Sequence, residues 1–169
     1  MIKSFSGKKP RIARSAFVSK AAYIAGDVEI GEYCGIWPGA VIRADFAPIK
    51  IGRNTDVEDN SVIHTATPLE IGENVMIGHS VVIHGQKIGS NTLIGNNATV
   101  LDEAEIGEYC IIAAGCVVTE RMKIPDRSFV AGIPAQIKYE INAAQIERLN
   151  KHDLYYPKES RKRYTEQKL

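Results

Sequence analysis

The stretch Ile77–Gly85, IGHSVVIHG, carries two of the four histidines in the chain, His79 and His84. Imidazole holds transition metals and passes protons near neutral pH, so this pair is the first place to look for chemistry. Five residues is the wrong step for one face of a helix, and on a flat strand it puts the two rings on opposite sides. A third histidine, His64, sits near the end of VEDNSVIHT (57–65), and the RAD run adds Arg43 and Asp45. Whether these groups can meet depends on the element that carries them.

That element is a repeat. Stepping by six from Val18 gives Ile24, Ile30, Ile36 and Ile42. The series resumes as Ile51, Val57, Ile63, then as Ile71, Ile77, Ile83, and from Ile88 it runs by sixes to Val130. Glycine often follows, as at Gly31, Gly52, Gly78 and Gly95, and a small residue often lies four on, as at Ala40, Ser61 and Ala98. A helix would repeat at 3.6 and a sandwich strand would alternate. β-Branched residues every six, each followed by a turn-permissive residue, predict short strands wound into a coil with three hexapeptides per turn. Stacked strands then lie about 4.8 Å apart. The pattern resembles the hexapeptide repeat over about residues 12–134. That resemblance implies an all-β solenoid, a left-handed parallel β-helix, although general crossover rules favour the right hand. The organisation expected is a β-helix domain over 1–139 and a C-terminal α-helix with a charged tail over 140–169.

With the three faces numbered in turn from Val18, the step of six breaks after Ile42, Ile63 and Ile83, each a face-2 residue. Irregularities gathered on one edge of a solenoid mark its binding side. The residues directly after these positions are Arg43, His64 and His84. His64 and His84 therefore share a corner on consecutive coils, with backbones roughly 5 Å apart. Two imidazoles so placed could converge on one ion, for which Zn–N is about 2.0–2.1 Å. His79, two past the face-1 residue Ile77, belongs to a different corner. It could join them from a neighbouring copy if three solenoids stand parallel about a three-fold axis.

The segments VIRADFAPIKIG (41–52), VEDNSVIHT (57–65) and IGHSVVIHG (77–85) resemble the γ-class carbonic anhydrase family over nearly the whole chain. The resemblance implies that His64 and His84 of one subunit and His79 of the next ligate a catalytic Zn2+, with Fe2+ or Co2+ as alternatives. It implies a homotrimer with shared metal sites, in which a metal-bound hydroxide hydrates CO2 to bicarbonate. Arg43, Asp45 and Asp59 match the arginine and aspartates of that family's site, and Tyr156 matches a tyrosine of its C-terminal helix. Three positions depart from the family. Glu58 replaces a common glutamine, and an ionised carboxylate can only accept hydrogen bonds. Phe46 and Thr67 stand where the best-known archaeal members carry proton-transfer glutamates. Slow hydration at neutral pH is the expected result. An acyl-CoA thioesterase or acyltransferase is the alternative, since VAGIPAQI (130–137) resembles the end of those repeats too, and a non-catalytic trimeric metal-binding scaffold is a third.

The remaining features exclude more than they suggest. A net charge of +1 argues against a nucleic-acid surface. No apolar run approaches the ~20 residues that span a bilayer, and Met1–Pro10 lacks the apolar centre of a signal peptide. Cys34, Cys110 and Cys116 fall at small inward positions, as inert packing residues of a reducing, cytoplasmic protein. Trp37 reads either as a subunit contact or as a surface cap. Asn142-Ala-Ala-Gln145 is a capping box that opens a helix over 140–156, ended or kinked at Pro157. His152 reads as an ordinary helix residue, and Lys158, Arg161, Lys162 and Arg163 as a solvated face.

Overall fold

The period of six closes into a three-sided coil of parallel strands. In the computed structural model the backbone is described for residues 1–166, and the side chains for all of these except 151–160 and 165. On face 1, Val18, Ile36, Val57, Ile77, Ile94, Ile112 and Val130 stack in register from coil to coil. Face 2 stacks Ile24, Ile42, Ile63, Ile83, Val100 and Val118, and face 3 stacks the residues from Ile12 to Ile124. From Ile24 to Val130 each of these repeat residues is 3% exposed or less. The core is thus three columns of β-branched side chains, each packed on its own kind. Truncating one of them to Ala removes its burial and leaves a hole its rigid neighbours cannot fill, at a cost of about 2–5 kcal/mol.

The breaks in the period have a structural meaning. Strands Tyr23–Ile30 and Val41–Ile51 run extended through the corner between faces 2 and 3, and so join those faces into one sheet. The register shifts between Gly26 and Val28. Gly26 has φ 87, and a Cβ there would overlap the Ala44 carbonyl oxygen, so only glycine lets the coil bearing Arg43 and Asp45 lie so close.

The outward residues give each face its own character. On face 3, Arg11, Glu29, Lys50, Glu70, Lys87, Glu105 and Lys123 alternate in sign along the stack. Arg11 pairs with Glu29 at 3.3 Å and Lys123 with Glu105 at 3.1 Å, both in solvent, where such pairs add little stability but keep the face wet. Face 2 instead presents Val41, Val62, Val82, Thr99 and Val117. Face 1 presents Phe17, Met76, Leu93, Ile111 and Phe129, and it is covered by the C-terminal helix Ala143–Glu166.

That helix opens on the expected box. Asn142 Oδ1 accepts the Gln145 N–H and Gln145 Oε1 accepts the Asn142 N–H, each at 3.0 Å. Leu149 is buried and Ile146 half-buried. Three expectations fail beyond it. The helix does not end at Pro157 but continues to Glu166. Arg161, assigned to a solvated face, is 7% exposed. Trp37 is neither a surface cap nor free for a subunit contact, since Tyr164 packs edge-on to it at 5.2 Å and Phe17 lies 5.1 Å away. One cause accounts for all three: the contacts beyond Pro157 offset the backbone bond that proline removes. Arg161 donates to Asp56 Oδ2 at 3.3 Å, to Asn54 Oδ1 at 3.4 Å and to the Tyr33 carbonyl. Asn54 in turn donates to Asn74, and Asn74 to Asn91, along a corner whose left-handed backbone suits asparagine.

The three cysteines are buried at inward positions, and burial pushes the Cys34 and Cys110 thiols up to about 11 and raises Cys116 as well. Asp56 is also buried. Burial pushes its carboxyl up to about 6, against the pull of Arg161 and of the Trp37 indole, which donates at 2.9 Å. A raised native value means that the folded chain holds this proton more tightly than the unfolded chain. Its stabilising contribution is therefore present below the ordinary aspartate range and lost as pH rises through about 6. Asp56→Asn keeps an acceptor for Trp37 and removes the titration. Wild type is expected to gain stability relative to this variant in urea melts as pH falls from 7 to 4; a relative loss would show that Arg161 outweighs burial.

Candidate metal and catalytic site

Register fixes the first half of the site. Arg43 pairs with His64 across the Val41–Ile51 and Val62–His64 strands, and the next coil brings His84 above them. His64 Nδ1 faces His84 Nε2 at 3.0 Å, with ring centroids 5.0 Å apart. The far nitrogen of each ring meets a carboxylate. His64 Nε2 lies 3.0 Å from Asp45 Oδ1, and His84 Nδ1 lies 2.7 Å from Asp102 Oδ1. The other Asp45 oxygen takes the Arg43 guanidinium. Burial would raise Asp45, but its own backbone N–H, Arg43 and His64 outweigh that and hold it below the usual range.

These partners assign the tautomers. A carboxylate only accepts, so the far nitrogens carry the protons. The two near nitrogens are left as lone pairs pointing at one another across 3.0 Å, an arrangement that repels unless a cation or a proton lies between them. Two ligands of a tetrahedral Zn2+ stand about 3.3 Å apart, given Zn–N of about 2.0–2.1 Å. The donor set fits: neutral imidazoles, each oriented by a carboxylate on its outer nitrogen, as metal-bound histidines commonly are.

The second half sits at the other edge of face 2. Glu58 and Asp59 follow Val57, and His79 stacks one coil on, with the Ser80 N–H donating to the Asp59 carbonyl at 2.9 Å. His79 Nδ1 is 3.2 Å from Asp59 Oδ2, and His79 Nε2 is 3.2 Å from Glu58 Oε2. A neutral imidazole has one N–H and cannot donate to two carboxylates at once, so the second contact needs a proton or a cation between nitrogen and oxygen. Burial pushes Glu58 up, with His79 opposing and Asp59 adding to it.

One chain therefore gathers Arg43, Asp45, His64 and His84 at one corner and Glu58, Asp59 and His79 at the other. Among the described residues no group of three candidate metal ligands closes on one point. Within the chain Arg43 pairs with Asp45. Phe46, beside His64 at 6.0 Å between ring centroids, is 78% exposed. In place of a loop acid, Thr67 supplies its carbonyl to the Thr65 hydroxyl at 2.6 Å, closing the short loop. The side chains of Tyr156 and His152 lie outside the described residues. Asp102 is the group that sequence reasoning missed. It lies two past Val100, the face-2 residue on the coil after His84, and so one place beyond the offset that picks out His64 and His84. A cavity of about 500 Å3 lies between face 1 and the helix, bordered by His79, Glu58, Met76, Leu93, Phe129 and Leu149. No helix among the described residues is long and apolar enough to cross a membrane.

Comparison with known proteins narrows the chemistry. The chain matches the family model for bacterial transferase hexapeptide (six repeats) over residues 9–44 and 87–120, and that for the hexapeptide repeat of succinyl-transferase over 68–102. It is 38% identical to a carbonic anhydrase of Geobacillus kaustophilus over 153 residues, covering 89% of this chain and 84% of that protein. It is 35% identical to the mitochondrial gamma carbonic anhydrase 1 of Arabidopsis thaliana over 82% of its own length, and there it spans about half of the relative, 54%. A solved structure, a hexapeptide transferase family protein from Anaplasma phagocytophilum, is 33% identical and superposes with a TM-score of 0.91, covering 95% of this chain and 96% of that one.

Proposed function

Because the chain belongs to the γ-class carbonic anhydrase-like family of hexapeptide-repeat proteins, we propose that it is a metal-dependent lyase interconverting CO2 and bicarbonate, built as a homotrimer with its metal sites at subunit junctions. The observation that carries this reading is the pair of ring nitrogens His64 Nδ1 and His84 Nε2, facing each other at 3.0 Å with both outer nitrogens on carboxylates. Zn2+ suits three neutral imidazoles, with Fe2+ and Co2+ as alternatives, and when bound it supplies a Lewis acid that brings the pKa of water to about 7.

The positions of the half-sites support the trimer. Each borders face 2, one at either edge. A three-fold rotation about an axis parallel to the coil carries one edge of each chain onto the opposite edge of the next. The stripe of Val41, Val62, Val82, Thr99 and Val117 then turns toward the axis and loses its water, while the charged ladder of face 3 stays outside. Phe46, exposed beside His64, comes to rest against the neighbour.

Within such a junction each residue has a distinct task. Asp45 orients His64, and Arg43 neutralises Asp45. Asp59 holds the proton on His79 Nδ1, which frees Nε2 for the metal. Glu58 lies at that same nitrogen and is therefore beside the reacting oxygen, as an acceptor rather than a donor. The cavity by His79 sets the apolar side chains of Met76, Leu93 and Leu149 beside Glu58, and offers a place for CO2. The same cavity, with the likeness to a hexapeptide transferase family protein, favours one second reading, hydrolysis or transfer of a small acyl thioester.

Co-expression of His79→Ala with His64→Ala chains tests the junction. Each variant alone should lack metal and CO2 hydration. Each mixed trimer should hold one intact junction in three, so random mixing should restore about a quarter of the wild-type sites. No recovery would overturn the shared site, and thioester cleavage without CO2 hydration in metal-loaded wild type would favour the second reading. Glu58→Gln gives the reacting oxygen's neighbour an amide donor. Hydration should rise about 5- to 10-fold, the worth of roughly one hydrogen bond, and a fall would show that Glu58 works as a proton acceptor.

A further inference from the structure

Asp102 lies where no motif placed it, yet it makes the shortest of the carboxylate–imidazole contacts at the two corners. Its Oδ1 is 2.7 Å from His84 Nδ1, against 3.0 Å for Asp45 on His64 and 3.2 Å for Asp59 on His79. It reaches this position because Leu101 and Asp102 continue the corner one coil beyond His84, whose own N–H donates to the Val100 carbonyl at 2.8 Å. The contact is local to the corner. His84 is 28% and Asp102 48% exposed in the side chain, so neither depends on the core for its place.

We infer that Asp102 is a positioning residue for the proposed metal site: it holds the proton on His84 Nδ1 and aims the His84 Nε2 lone pair at the metal. The inference rests on the metal-site reading above. Without Asp102, two things change. The His84 ring is free to rotate about its side-chain torsions, and its neutral form divides between two tautomers, one of which presents N–H where a lone pair is needed. The negative charge that raises the basicity of the ligating nitrogen is lost as well. Asp45 does the same for His64 and Asp59 for His79, so every proposed ligand has its own aspartate, and the third pair completes the set.

Apo protein titrated with Co2+, followed by its visible absorption bands and by competition with a chelator, reads the site without any assay of turnover. Asp102→Ala should weaken Co2+ binding about 10- to 100-fold, the range for removing an outer-shell partner of a metal ligand. Far-UV circular dichroism and thermal unfolding of the apo form should match wild type. Asp102→Asn keeps an acceptor for the Nδ1–H and should recover most of the loss, staying within about 5-fold of wild type. Binding by Asp102→Ala within about 3-fold of wild type would overturn the inference while leaving the metal site intact. An Asn variant as weak as Ala, with apo unfolding lowered in both, would also overturn it, by showing that Asp102 supports the coil and not the ligand. Wild type that takes up no Co2+ would remove the metal site itself, and the inference with it.

Discussion

The spacing of parallel strands is the constraint on which the site depends. Each coil lies one strand spacing from the next, about 4.8 Å, and the columns of isoleucine and valine in the core lock that register. Residues that share a place in the repeat are therefore stacked whatever their chemistry. His64 and His84 meet because Ile63 and Ile83 are paired partners, and His79 lies over Asp59 because Ile77 lies over Val57. The longer steps after Ile42 and Ile63 lengthen that one corner without disturbing the columns, and Asp45, paired with Arg43, reaches the His64 ring from an extended strand. Gly26, the one residue that can lie under Ala44, makes this approach sterically open.

Electrostatics sets the state of the two half-sites. Asp45, Asp59, Asp102 and Glu58 surround three imidazoles, with Arg43 as the balancing cation. Such a cluster repels itself and draws in positive charge, whether protons on the rings or a dication between them. Metal binding and assembly are on this account coupled, because the carboxylates of one edge and the ligands of the other come together only when two chains do. The division of the surface supports that coupling. The sign-alternating ladder of face 3 resists burial, the helix seals the aromatic and aliphatic residues of face 1, and the β-branched stripe of face 2 is left between the half-sites.

Much of this was legible in the residues. The period of six exposed all three columns, and the position of its breaks pointed to the corner that carries His64 and His84. The same count separated His79 from them. What the sequence concealed lay where a long-range contact overrides a local preference. Pro157 predicts a break, yet the helix continues, because Arg161 and Tyr164 find Asp56 and Trp37 more than a hundred residues away in the chain. Arg161 sits among basic residues that read as a solvated face, and its burial is explained by partners distant in the chain, Asp56, Asn54 and the Tyr33 carbonyl. Trp37 reads as a subunit contact or a surface cap because nothing local shows that a helix returns over it. Asp102 escaped notice for a different reason: it lies on a coil with unbroken spacing, and its role is visible only from the ring it touches.

The central claim is that one metal lies between His64 and His84 of one chain and His79 of the next. Anomalous diffraction from crystals of the Zn2+-loaded protein, recorded on either side of the zinc edge, tests it directly. The account requires one peak per chain, within about 2.0–2.1 Å of His64 Nδ1, His84 Nε2 and the neighbouring copy's His79 Nε2. A peak bound by residues of a single chain, or no peak between the facing imidazoles, would contradict it.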